Sequence, residues 1–225
     1  FELNENQLMV SQMLRDFAEK EIRPNMKKWD DEEYFPVETF KKLGELGLLG
    51  IFIPEKYGGS GFSYFEYATA LIELGKVCGG IGLSVAAHNS LCVGHIYYHG
   101  SEEQKLKYLP KLVSGEWIGA WALTESNTGS DAMRMKTTAV KDGTDWILNG
   151  TKNWITHGLS GDVLVVLVRT GELLDSNGIT AFIVEKGTPG FSAVKIKDKL
   201  GVRASETAEL IFDNVKVPKE NLLTN

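Results

Sequence analysis

The hydrophobic period changes once along this 225-residue chain, near Trp117, and that change limits the folds open to it. Up to Trp117 apolar residues recur at helical spacing; beyond it, short β-rich runs alternate with Gly, Asn and Asp turns. In the first half Val10, Met13, Leu14, Phe17 and Ala18 form one apolar stripe, with Asn4 and Gln7 as a reciprocal cap before it. Pro24 ends or kinks this helix. Pro36 opens another, carrying Phe40, Leu43 and Leu46. Phe65, Ala68, Leu71 and Ile72 mark a further helix, which Gly75 is expected to stop. An apolar helix spans residues 83–98. Ser101 and Gln104 form a capping box for the last one, with Leu106, Leu109, Leu112 and Val113. Between the second and third helices, Tyr57-Gly58-Gly59-Ser60-Gly61 is a turn rich in residues that accept positive φ.

The β-rich runs are 118–123, 136–140, 146–148, 153–156, 163–168, 179–184, 191–196, 209–212 and 215–217. Asp142-Gly143 and Asn149-Gly150 read as hairpin turns. No helix-length stripe intervenes, which argues against βαβ units and a parallel sheet. The expected fold is therefore α+β multidomain: an all-α N-terminal bundle at 1–117, then an antiparallel β-barrel or sandwich at 118–225.

At 43% hydrophobic and 24% charged, the chain has ample material for a core. A formal net charge of −6 gives no global attraction to nucleic acid or anionic membrane, so an anionic ligand needs a local site. Residues 79–98 are apolar enough to raise the question of a membrane span. His88, Asn89, Ser90 and His95 interrupt them and no basic flank follows, so a buried helix is expected. The opening Phe1-Glu2-Leu3-Asn4 shows no signal or transit segment. Cys78 and Cys92 read as small buried residues rather than a disulfide or a reactive thiol, which fits a reducing compartment. His88, His95 and His99 fall near one helical face. Packing explains them more readily than a metal, and no metal site is assigned. Walker, Gly-x-Ser-x-Gly and Gly-x-Gly-x-x-Gly patterns are absent from the sequence.

Trp121-Ala122-Leu123-Thr124-Glu125-Ser126-Asn127-Thr128-Gly129-Ser130-Asp131 stands out. A strand leads into a polar loop offering backbone N–H groups, hydroxyls and a Gly that permits close approach. Such a loop suits a heterocycle edge or a phosphate, although an ordinary connection has the same composition.

Ala122-Leu123-Thr124-Glu125 followed by Gly129-Ser130-Asp131 resembles a signature of the acyl-CoA dehydrogenase family. The resemblance continues in order through Pro54-Glu55-Lys56-Tyr57-Gly58-Gly59 and Gly100-Ser101-Glu102-Glu103-Gln104-Lys105. It extends through Leu148-Asn149-Gly150-Thr151-Lys152-Asn153-Trp154-Ile155-Thr156 to Lys199-Leu200-Gly201-Val202-Arg203-Ala204-Ser205 and Phe212-Asp213-Asn214-Val215-Lys216-Val217-Pro218. Thr128 and Arg134 depart from the small residues the family usually has there.

The resemblance implies FAD as cofactor. Its contacts are expected at Trp121, Leu123, Thr124, Gly129, Ser130, Trp154, Ile155 and Thr156, with Ser130 also near the CoA portion of the substrate. Trp154 would lie against the isoalloxazine ring and the Thr156 hydroxyl near N5. The competing readings are a barrel-core tryptophan, routine strand threonines, and a Ser130 that caps a turn with Asp131. Glu125 and Asp131 are assigned to loop structure, and His157 to a solvent-facing turn. The implied reaction is α,β-dehydrogenation of a short- or branched-chain acyl-CoA: a carboxylate takes the α-proton while hydride passes to the flavin. In the family that carboxylate belongs to a C-terminal helical domain, so no catalytic residue is expected within this chain. An electron-transfer flavoprotein as acceptor, a homo-oligomer at full length, and a cytoplasmic or mitochondrial-matrix location complete the expectation. An oxidase-like relative and a non-catalytic FAD- or acyl-CoA-binding protein are the alternatives.

Overall fold

The computed structural model describes residues 2–175 and 177–223. Helix α1 (Glu5–Phe17) begins where Asn4 Oδ1 accepts the Gln7 N–H and Gln7 Oε1 accepts the Asn4 N–H. A π-helical turn, Ala18–Ile22, carries it to Pro24. Helices α2 (Met26–Asp31) and α3 (Val37–Glu45) follow, then α4 (Tyr64–Val77) behind the Ser63–Glu66 capping box. Helix α5 (Gly79–Ala86), a π-helical stretch (Ala87–Val93) and α6 (Gly94–His99) make one rod. Helix α7 (Glu102–Val113) starts at the Ser101–Gln104 box. No helix among the described residues is long and apolar enough to cross a membrane.

Gly75 does not stop α4, contrary to the sequence expectation. The helix runs on to Val77, and Cys78 ends it by turning extended at φ −146°. Gly75 lies where α5 crosses: a Cβ on Gly82 would sit 3.5 Å from the Gly75 Cα, while a Cβ on Gly75 itself meets nothing within 4 Å. Gly75→Ala is therefore expected to raise stability by about 0.5–1 kcal/mol, measured by urea unfolding, because a helix-interior glycine carries excess unfolded-state entropy.

The second half forms one eight-stranded sheet: β1 (Gly119–Ala122), β2 (Thr138–Asp142), β3 (Asp145–Thr156), β4 (Val163–Arg169), β5 (Ile179–Glu185), β6 (Phe191–Lys195), β7 (Thr207–Val217) and β8 (Leu222–Leu223). The order is β6-β7-β3-β2-β4-β5-β8, with β1 on β4. Most pairings are antiparallel, as expected, but β1 and β4 run parallel, and Thr138 of β2 pairs parallel with Arg169. A parallel pair needs a long crossover, and here the β2–β3 hairpin supplies it instead of a helix. The Asp142–Gly143 turn forms, since Asp142 pairs with Asp145.

Asn149-Gly150, by contrast, is no turn. It lies inside β3, where the register with β7 shifts between Leu148 and Gly150. Gly150 has φ 139°, and a Cβ there would stand 2.7 Å from the Thr137 Cα, so the glycine serves a bulge and a close approach. The two runs expected at 146–148 and 153–156 are thus one strand. Those at 209–212 and 215–217 merge likewise into β7, with Asn214 at φ 52°.

Two hydrophobic clusters organise the interior. One contains the helical core and also Val163, Val165, Ala181 and Ile183 from one face of β4 and β5. The other, within the folded sheet, takes Leu164, Val166, Val168, Phe182 and Val184 from the opposite face. Burial on both faces explains why 163–168 holds no polar residue.

Candidate functional site

The end of β1 and the end of β3 are tied side by side. The Asn153 N–H donates to the Thr124 carbonyl at 2.7 Å. Lys152, fully buried, donates from Nζ to the Leu123 carbonyl at 2.8 Å and to Glu125 Oε1 at 2.9 Å. The Glu125 carboxylate also accepts the Lys136 N–H at 2.7 Å and the Thr137 N–H at 2.9 Å. Burial pushes the Glu125 carboxyl up, but these donors together hold it below the ordinary carboxylate range. Burial lowers the Lys152 ammonium, and Glu125 opposes that shift. Reciprocal backbone bonds between Glu125 and Thr128, at 2.9 and 3.2 Å, close the loop. Gly129, Ser130 and Asp131 follow on an exposed rim, where Asp131 pairs with Arg134. Glu125 and Asp131 are loop-structural, as expected.

Trp154 is displayed rather than packed. Alternation along β3 from Leu148 through Gly150 and Lys152 would point it inward, but the register shifts again between Lys152 and Ile155. Ile155 takes the inward place in the sheet core, and Trp154 is left 59% exposed with φ 62°. A bulky residue in the left-handed region costs roughly 1–3 kcal/mol and persists only where its surroundings enforce it. The barrel-core reading of Trp154 therefore fails. Ile155 offers a ligand only its backbone. Thr124 and Thr156 are half-buried and Ser130 exposed, and none of the three hydroxyls hydrogen-bonds within the described residues. Three free hydroxyls and an open aromatic face suit a planar heteroaromatic ring with hydrogen-bonding edges.

His157 corrects the expectation of a solvent-facing turn: it is fully buried. Its Nδ1–H donates to the Gly119 carbonyl at 3.0 Å, and its ring lies 4.8 Å from Phe35 and 5.3 Å from Phe40. The Gly119 N–H in turn donates to Nδ1 of His88 at 3.0 Å, while His88 Nε2–H reaches the Leu112 carbonyl at 3.1 Å. Burial lowers His157 to about 4 and, with the His157 ring nearby, His88 to about 3, so both are neutral.

Trp121 lies on the helical side, its Nε1–H donating to Nδ1 of His95 at 3.1 Å. Burial and the adjacent His99 lower His95 to about 4. No group of three or more His, Cys, Asp or Glu side chains that would hold a metal converges among the described residues. Cys92 is buried and Cys78 half-buried; both are free, and burial raises the Cys92 thiol to about 12.

Of the expected residues, the structure joins Leu123 and Thr124 to the residues just before Trp154. Gly129 and Ser130 stay on the rim, without a hydrogen bond to 154–156. Sequence reasoning missed Lys152, His157 and His95. Only Lys152 left a readable signal: counting by twos from buried Leu148 places it inward.

The comparisons agree with this architecture. The family model of the acyl-CoA dehydrogenase N-terminal domain matches residues 4–116, and that of the acyl-CoA dehydrogenase middle domain residues 120–215. A short-chain specific acyl-CoA dehydrogenase of Clostridium acetobutylicum is 46% identical over 223 residues, which are 99% of this chain and 59% of the relative. Mitochondrial isovaleryl-CoA dehydrogenase of Pongo abelii is 48% identical over 225 residues, 98% of this chain and 53% of the relative. The crystal structure of a glutaryl-CoA dehydrogenase from Mycobacterium smegmatis in complex with FADH2 superposes with a TM-score of 0.93 at 39% identity, covering 99% of this chain and 56% of that one. This chain thus spans little more than half the length of these relatives. With both family models in register over nearly all of its residues, the chain belongs to the acyl-CoA dehydrogenase family.

Proposed function

We propose that this chain is the FAD-holding part of an enzyme that dehydrogenates short- or branched-chain acyl-CoA thioesters to 2-enoyl-CoA. The observation that carries the reading is the pairing of 123–125 with 152–153, which brings the Thr124 backbone next to the segment that displays a strained, exposed Trp154. In this reading Trp121, Leu123, Thr124, Gly129, Ser130, Trp154, the Ile155 backbone and Thr156 hold the cofactor, and Ser130 also meets the substrate. Bound FAD supplies the hydride acceptor. The chain's own residues orient it: the Trp154 face fixes the ring plane and excludes water, and the Thr124 and Thr156 hydroxyls meet its polar edges.

In this reading neither Glu125, engaged by Lys152 and two N–H groups, nor Asp131, paired with Arg134, is the base, which the family resemblance assigns to a carboxylate outside residues 1–225. The division at 117/118 separates a helical part from the flavin-holding part. An electron-transfer flavoprotein as acceptor, a homo-oligomeric full-length protein, and a cytoplasmic or matrix setting belong to the same proposal.

The test is calorimetric titration of FAD into the chain and its Trp154→Ala variant, with acyl-CoA bleaching of flavin absorbance in the full-length product. Wild type is expected to bind FAD, and the variant about tenfold more weakly, the equivalent of about 1.4 kcal/mol. A full-length product with neither flavin colour nor bleaching by any acyl length ends the enzyme reading. Fast reoxidation by air assigns an oxidase instead.

A further inference from the structure

Trp154 and His157 both carry positive φ, 62° and 60°, and they bracket Ile155 and Thr156. A strained backbone on both sides of a two-residue stretch persists only if both ends are fastened. Pairing of Ile155 and Thr156 with Ala208 and Thr207 of β7 holds one edge of the stretch; toward β1, the first fastening is the Asn153 N–H on the Thr124 carbonyl at 2.7 Å, just past the end of that strand. The second is the His157 imidazole on the carbonyl of Gly119, the first residue of β1, at 3.0 Å. Gly119 is closely packed, since a Cβ there would lie 2.7 Å from Cys92 Sγ, and its N–H is held by His88. Phe35 and Phe40 close over the His157 ring, and Phe40 also meets His88 with centroids 5.5 Å apart. The other ring nitrogen, Nε2, is buried without a hydrogen-bond partner among the described residues. The ring is thus held for its single bond to Gly119 and for its packing.

We propose that His157 is a positioning residue, the second of two ties that hold 154–156 against β1; its consequence for FAD rests on the flavin reading above. The helical half takes part through Phe35 and Phe40, so the displayed Trp154 is set by both halves of the chain.

The test compares His157→Leu, His157→Asn and, as a stability control far from the seam, Ile22→Val, each in this chain. Leucine fills the space but cannot donate; asparagine restores an N–H donor. Amide hydrogen exchange at 154–157 is expected to accelerate at least tenfold in His157→Leu, to return most of the way in His157→Asn, and to stay unchanged in Ile22→Val. FAD affinity and the resolved fine structure of bound flavin absorption should follow the same order. Unchanged exchange at 154–157 in His157→Leu overturns the proposal, and so does equal acceleration in all three variants. If exchange follows the expected order while the wild-type chain takes up no FAD, the positioning role stands and the flavin reading falls.

Discussion

Replacing Lys152 by methionine is expected to lower stability by about 3–5 kcal/mol, because it leaves the buried Glu125 carboxylate without its cation. Two things are lost together, the ion pair with Glu125 and the bond to the Leu123 carbonyl, while the Asn153 N–H stays on the Thr124 carbonyl. The two N–H groups of Lys136 and Thr137 remain on Glu125, which keeps the carboxylate charged while its counter-charge is gone. The double variant Glu125→Gln with Lys152→Met should recover only part of the loss: a neutral amide needs no cation, but its NH2 group faces one of the two N–H donors that the carboxylate accepted. Urea unfolding of the wild type, both single variants and the double variant measures this directly. A Lys152→Met loss below about 1 kcal/mol, the range of exposed pairs, would show that the pair does not hold the site.

Acid is expected to weaken the fold well above the range in which carboxylates titrate. His88 and His157 bind a proton in the unfolded chain near their ordinary 6.5, but in the fold only at about 3 and about 4, chiefly because burial disfavours the cation. The unfolded state therefore holds more protons between those limits. The stabilisation is complete above 6.5 and falls as the pH drops toward the folded values. Between pH 6.5 and about pH 5 each of these two histidines should remove about 2 kcal/mol, at roughly 1.4 kcal/mol per unit. Glu73 acts lower down. Burial would raise its carboxyl, but Lys76, Arg15 and Ser11 hold it at about 2, so its contribution is lost only as the pH falls below its ordinary 4.5. Urea midpoints should hold from pH 8 to about pH 6.5 and then fall toward pH 5, and His157→Asn should remove less than half of the fall, since His95, lowered to about 4, also titrates in this window. A flat profile over that interval would contradict the neutral, buried assignment of both imidazoles.

The two architectures and their order are legible in the sequence because helix caps and hydrophobic period are local signals. Asn4 with Gln7 and Ser101 with Gln104 act as the sequence pattern predicts. Gly75 misleads because propensity cannot report a helix crossing, and Asn149-Gly150 because pairing with β7 overrides a local turn preference. The candidate site divides the same way. Glu125 reads correctly as loop structure, yet its partner lies 27 residues on, and only strand register brings the two together. The exposure of Trp154 depends on a bulge that strict alternation does not foresee. His157 reads as a polar residue next to a glycine; its burial comes from Phe35 and Phe40, more than a hundred residues upstream.

The two-sided burial of β4 also bears on how the chain reaches its fold. Val163 to Val168 is six apolar residues without charge or proline, rich in β-branched side chains, which in an unfolded chain is the composition of a self-associating segment. Its parallel partner β1 is separated from it by the whole β2–β3 hairpin, and closing so long a loop slows folding. Asp162 and Arg169 stand at the two ends of the run, charges placed where they oppose intermolecular stacking while the strand is unprotected.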